Sequence, residues 1–268
     1  MAHSDHKKSY LRRAAIHNGI EEIKFAGEVQ MTNSDIDKSQ IRYARLAGFM
    51  YLFVDLAYGL GLFITSRFQV PGNFAETANR IMGSELLYRI GLSSLLIGGL
   101  CTVFLAMGLY GAVKPIDNNL ALLALIFRLI EATLFGVVSL LSFTALKLLV
   151  DADYMHAFDA NQLSVLVNLR SVATSAGFNI AAIFFSIGSI LFFYLFFKST
   201  YIPKLLSGLG LFGSVLVPIV CFGSLVSPQH AKMLALGWIP VGLAEILVGF
   251  WLLIKGVNVG HISGDSDK

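Results

Sequence analysis

Residues 118–149 read NNLALLALIFRLIEATLFGVVSLLSFTALKLL, an apolar run in which Arg128 and Glu131 are the first charges and Lys147 the last. Roughly 20 apolar residues in a helix cross the hydrocarbon of a bilayer, and this run is longer. Where water is excluded, a single segment satisfies its own backbone hydrogen bonds only as a helix. Ionisable groups halfway along such a span are costly against lipid, so Arg128 and Glu131 must turn towards protein.

The same pattern recurs on both sides of this segment. Apolar runs extend from about Leu46 to Phe63, Leu86 to Val113, Gln162 to Phe197, Leu205 to Leu225 and Leu234 to Leu253. Hydrophobic residues make up 56% of the 268 positions and charged ones 14%. The expected fold is all-α: a polytopic membrane helix bundle of about six transmembrane helices over residues 41–256. A polar tail over 1–40 precedes it and a polar tail over 257–268 follows. The second, third and fourth spans exceed the hydrocarbon thickness and must tilt or protrude. A short segment from Glu76 to Met82 is expected at the membrane surface. Pro218 and Pro240 fall inside the fifth and sixth spans and are expected to bend them. Met31 begins MTNSDIDKSQ, which reads as a natural start. Leu11, Ala15, Ile20 and Ile23 make a short helix at best, and no function is assigned to residues 1–30. No cleavable leader is expected, because the first apolar run lies too far from Met1.

Charge sets the expected orientation. The N-terminal tail and first turn carry Lys7, Lys8, Arg12, Arg13, Lys24, Lys38, Arg42 and Arg45, and the loops on the same side carry Lys114, Lys198, Lys204 and Lys255. Opposite loops carry Arg67, Arg80 and Lys232, with the acidic stretch Asp151, Asp153 and Asp159 between them. Both termini are therefore expected in the cytoplasm. The basic tail is too diffuse for a nucleic-acid arm and no recognition motif stands beside it, so lipid is the expected partner, with a homo-oligomer or another membrane subunit open.

The ionisable residues inside the spans are the main functional clue. Asp55 sits midway along the first span, Arg128 and Glu131 along the third, and Glu245 along the sixth. At 100° per residue, Arg128, Glu131, Ser139 and Ser142 share one face of the third helix. Tyr51, Asp55, Tyr58 and Gly59 share a face of the first, and Trp238, Gly242, Glu245 and Gly249 a face of the sixth. The simplest packing turns all three faces inward. Three carboxylates then meet one permanently charged guanidinium, an excess of two negative charges in a low dielectric. Either one or two carboxyls carry a proton, or a cation, amine or water chain fills the gap. The alternative is a fixed Arg128–Glu131 pair whose only role is helix register. Ligand or ion candidates are thus Asp55, Arg128, Glu131 and Glu245, with Tyr51 and Tyr58.

A second group lies towards the opposite surface. Glu85 and Arg89, spaced i, i+4, make a natural ion pair, and Arg170 with Asn168 stands early in the fourth helix. They rim an outward mouth, or form an interfacial salt-bridge network. Lys147 is expected to snorkel to that surface. Small-xxx-small pairs at Ala57/Gly61, Ser94/Gly98 and Gly210/Ser214 permit close helix contacts, within one chain or between two.

Catalytic motifs are missing. His3, His6, His17, His156, His230 and His261 all lie in tails or loops, which disfavours a bis-histidine haem. There is no HExxH, no P-loop and no buried base for a serine nucleophile. Cys101 and Cys221 read as small buried hydrophobes. No metal and no cofactor is expected, and whether the chain is an enzyme stays open.

The run Arg45-Leu-Ala-Gly-Phe-Met-Tyr-Leu entering the first span, Phe127-Arg-Leu-Ile-Glu-Ala132 in the third, and Pro240 to Glu245 followed by Trp251-Leu-Leu-Ile-Lys255-Gly256 resemble the signature of an uncharacterised bacterial membrane family, domain of unknown function 4386. The resemblance spans about residues 40–256. It implies a multi-span protein of the bacterial inner membrane and adds no activity. Transport or sensing of a proton, cation or small amphipathic ligand is the leading expectation. A structural or accessory subunit is the second. An intramembrane lipid-modifying enzyme using Glu131 or Glu245 as acid or base is the third.

Overall fold

The computed structural model describes residues 38–70, 73–151 and 160–258. The expected tail helix around Leu11–Ile23, most of the acidic loop and the C-terminal tail from residue 259 lie outside the described residues. Among the described residues every regular element is helical. They are α1 (Lys38–Ser66), α2 (Phe74–Gly83), α3 (Glu85–Val113), α4 (Asn118–Val150), α5 (Ala160–Ser199), α6 (Lys204–Val226) and α7 (Ile239–Ile254). Short helical turns over 228–238 join α6 to α7. All except α2 are long and apolar enough to cross a membrane, the last when counted from Ala235. The chain is a multi-pass membrane protein, and exposed side chains such as Leu56, Leu100, Leu140, Phe212 and Leu243 make its lipid contact.

The bundle has a near end, where α1 begins and α7 finishes, and a far end. α1 is helical from the first described residue, Lys38, two turns before the apolar run at Leu46, and this polar part is packed. Gln40 is buried, and its Nε2 donates to the Ala112 carbonyl and to the Tyr201 hydroxyl, each at 3.1 Å. The near-half core is dense: Ala47, Tyr51, Leu105, Leu109, Phe192, Phe193, Phe196, Val248 and Leu252 are all buried in one cluster.

The α4 start is fixed by Asp117, whose carboxylate accepts from the Asn119 and Leu120 amides at 3.1 Å. At the far end α2 is capped by Asn73, which accepts from the Glu76 amide at 3.0 Å. It lays Ala78 and Ile81 against Phe68, Tyr88, Leu146, Leu149 and Leu163, a second core that ties α2 to the ends of α1, α3, α4 and α5. The surface segment expected from Glu76 to Met82 is this helix.

Small residues bring α1 and α3 together. Ser94 Oγ donates to the Ala57 carbonyl at 2.8 Å, Gly98 faces the Tyr58 ring, and Gly61 packs on Leu95 and Gly91. The Ala57/Gly61 and Ser94/Gly98 pairs therefore pack against each other inside one chain. α5 runs between α4 and α6 and packs on both. Pro218 stands inside α6, as expected. Pro240 does not bend α7 midway: the helix begins at Ile239, so the proline occupies its first turn, where a missing N–H costs no helical bond.

Candidate functional site

α1, α4, α5 and α7 build the charged layer. On α4, Arg128 and Glu131 are 2% and 3% exposed. Their i, i+3 spacing brings Arg128 Nη1 to 3.1 Å from Glu131 Oε2. The approach is an ion pair without hydrogen-bond alignment, so Oε2 holds no hydrogen bond and Arg128 Nε is likewise unpartnered. The rest of Arg128 is gripped by α5. Its guanidinium lies 4.7 Å from the Phe185 ring centre, and Nη1 reaches Ser189 Oγ at 3.4 Å. Its stem packs against Gly188, where an added Cβ would stand 3.0 Å from Arg128 Cγ and Cδ. A side chain there would have to displace the arginine stem by a few tenths of an ångström.

The antiparallel contact of α1 with α7 brings in the other two carboxyls. Gly48 meets the backbone at Gly249 and Leu252, and Gly249 in turn meets Tyr51 and Leu52. Two turns farther along this register stand Asp55 and Glu245. Glu245 is 8% exposed, interacts electrostatically with Asp55, Arg128 and Glu131, and makes no hydrogen bond or ion pair among the described residues. Asp55 is half-buried, interacts with Arg128, and its Oδ2 has no partner. Tyr51 is buried within the field of all four charges. Tyr58 is half-buried; its hydroxyl points towards Thr102, whose own hydroxyl is given to the Gly98 carbonyl at 3.1 Å, and it finds no bonded partner. All six mid-span candidates thus occupy one neighbourhood.

On the far side of this layer runs a chain of rings: Tyr58 to Phe135 (5.5 Å), Phe135 to Phe178 (5.7 Å), Phe178 to Trp238 (5.8 Å) and Trp238 to Phe185 (6.0 Å). It joins α1, α4 and α5 to the turn before α7. Towards the near end the apolar core lies under the layer. The charges therefore sit between a packed floor and an aromatic roof, where Coulomb interactions are strong.

The remaining candidates do not join this site. Glu85 and Arg89 pair with each other at 2.6 Å on α3. Arg170 stands in the first third of α5, towards the far end; its Nε is buried and unpartnered, as is Thr174 Oγ1 one turn on, and no hydrogen bond or ion pair among the described residues ties it to the Glu85–Arg89 pair. Lys147 is exposed and lies 4.0 Å from Asp151. Ser139 and Ser142 share the α4 face, but Ser142 gives its hydroxyl to the Val138 carbonyl. A hollow on α4 is lined by Ile126, Leu129, Ile130, Thr133 and Leu134, on the face opposite Arg128 and Glu131, and no carboxyl reaches it. Both cysteines are free, and Cys221 is buried.

Phe135 on α4, and Phe178, Phe185, Gly188 and Ser189 on α5, were not legible as site residues, because apolar and small residues within a long apolar span carry no such signal. The one signal was FFSIGSILFF over 184–193, where small residues interrupt a run of phenylalanines. Such a break marks a close approach by another chain segment.

A family model described as Domain of unknown function (DUF4386) matches residues 46–256. No curated protein and no solved structure matches the chain.

Proposed function

The chain belongs to the family described as Domain of unknown function (DUF4386), and from that premise, which carries no activity with it, we propose a bacterial inner-membrane protein whose mid-bundle layer holds a proton, cation or small amphipathic ligand for transport or sensing. The observation that carries this reading is the composition of the layer. Asp55, Glu131 and Glu245 face Arg128 alone, and Glu245 is buried without a hydrogen-bond partner. A buried carboxyl left unpaired is costly unless something supplies a positive charge or a proton. Polar groups at this depth are functional by default. Lys114, Lys198, Lys204 and Lys255 at the near end favour both termini in the cytoplasm.

The test uses the full chain in proteoliposomes on a solid-supported membrane. Concentration jumps of protons, sodium, potassium and an organic cation are applied in turn. At least one is expected to displace charge, and Glu245→Gln or Asp55→Asn to abolish that signal. Silence towards all four, or a signal indifferent to both variants, would refute a ligand site.

A second reading has its own support. Arg128 is held by Glu131, Phe185, Gly188 and Ser189 at once, which suits a charge that fixes helix register in a structural or accessory subunit. Under that reading Asp55→Asn is tolerated and a stable partner co-purifies. The lipid-modifying reading needs an enclosed cavity, open sideways to lipid, on which two carboxyls converge; the hollow on α4, which no carboxyl lines, is not that cavity.

A further inference from the structure

The layer has one open side, and glycines mark it. On α1, Gly48, Leu52, Asp55 and Gly59 lie on one stripe; on α7, Gly249, Glu245 and Gly242 lie on another. Where the stripes meet, at Gly48 and Gly249, the backbones touch: a Cβ on Gly48 would stand 2.7 Å from the Gly249 carbonyl oxygen. Farther along the same stripes the contact is gone. A Cβ on Gly59 or on Gly242 would meet nothing within 4 Å. α1 and α7 therefore splay like a V whose apex holds Asp55 and Glu245. Exposed Leu56, Leu60, Ile239 and Leu243 flank the opening, so it faces acyl chains rather than water. Tyr58 and Trp238 stand over the apex, at the two ends of the rings that run through Phe135 and Phe178.

We propose that this V is a lateral entrance through which a lipophilic organic cation passes from the bilayer to Asp55 and Glu245. The proposal rests on the ligand-site reading above and narrows it. Four observations select the ligand class. With its carboxyls ionised the layer carries two negative charges that Arg128 does not balance, so an occupant that replaces their protons is cationic. Glu245 is nine-tenths buried and unpartnered at the apex. Asp55, Glu131 and Glu245 stand on three different helices, and among the described residues no three carboxyl, histidine or cysteine side chains gather as a metal-binding group, an arrangement that suits a spread-out cation. Tyr58 and Trp238 bring aromatic rings to the same place, and a ring is a favourable neighbour for such a cation. An inorganic ion would have to cross hydrocarbon to reach the opening, whereas an amphiphile partitions there. A helix of a second copy could also cover the V, but a stripe of uncharged residues would leave the carboxylates uncompensated.

The full chain is placed in phosphatidylcholine nanodiscs and binding of tetraphenylphosphonium is measured against empty discs. Tetraphenylborate, of the same shape and opposite charge, is the comparison. Saturable binding is expected for the phosphonium alone. Glu245→Gln is expected to weaken it at least tenfold. Gly242→Leu, whose Cβ enters open space and whose melting temperature is measured alongside and expected not to fall, is expected to weaken it similarly, while Gly83→Leu, with its Cβ also in open space but on α2, leaves it intact. Equal binding of the two ions, no saturable binding, or an affinity indifferent to Gly242→Leu overturns the entrance. If proton or sodium jumps still displace charge through Glu245 in that case, the ligand-site reading stands and only the lateral cation falls. If every cation is silent, both fall.

Discussion

Arg128 is held from two helices: by the Glu131 carboxylate on its own α4, and by the Phe185 ring and the Ser189 hydroxyl on α5. Removing one partner of a buried pair strands the other, so Arg128→Met is expected to cost about 3–5 kcal/mol. Lys147 is exposed, and Lys147→Ala is expected to stay within about 0.5 kcal/mol. Thermal unfolding in one detergent measures both, and equal shifts would contradict a central network. A second residue carries strain of another kind. Thr200, in the turn between α5 and α6, has φ of 56°, a left-handed conformation that a β-branched side chain resists. Thr200→Gly is expected to stabilise by about 1 kcal/mol, read as a higher melting temperature; a lower one would show that the threonine makes a compensating contact. The Arg128–Glu131 spacing was legible in the sequence because i, i+3 on a helix needs no knowledge of the fold. Ser189 and Phe185 were not, since one serine among many apolar residues carries no signal until α5 is known to lie beside α4.

Among the elements, the six spans were legible because apolar length alone specifies them, to within a turn at most ends. The exceptions have physical causes. α1 is already helical at Lys38, where this stretch of described residues begins, and Gln40 in its polar part finds buried partners on α3 and in the α5–α6 turn. α7 begins at Ile239, so that Pro240 falls in its first turn. The crossing of α1 with α7 was beyond the sequence, because which glycine touches which backbone depends on the helix arrangement. It makes a paired prediction. Gly48→Val must push the Gly249 and Leu253 backbones apart and is expected to cost about 2–3 kcal/mol. Gly242→Ala meets nothing and gains helix propensity, so it is expected to be neutral or stabilising by up to about 1 kcal/mol. Similar losses in both would mean that α1 and α7 stay in contact along their whole length.

At the scale of the whole molecule, six spans place the described ends of the chain on one side of the membrane, and the lysines at that end favour the cytoplasm. A fluorescent protein that matures only in the cytoplasm is expected to glow when fused after the last residue, and a periplasm-active phosphatase to work when inserted at 152–159; the reverse pattern would invert the topology. The account depends most on charges from separate helices forming one electrostatic unit. Its most direct test is a double-mutant cycle between α4 and α7. Arg128→Met, Glu245→Gln and the combination are unfolded thermally under identical lipid conditions. With one carboxylate neutralised, the loss of the guanidinium should do less harm, so the double variant is expected to melt above Arg128→Met alone, with a coupling of at least about 1 kcal/mol. Additivity within about 0.5 kcal/mol would show that Glu245 and Arg128 do not act on each other.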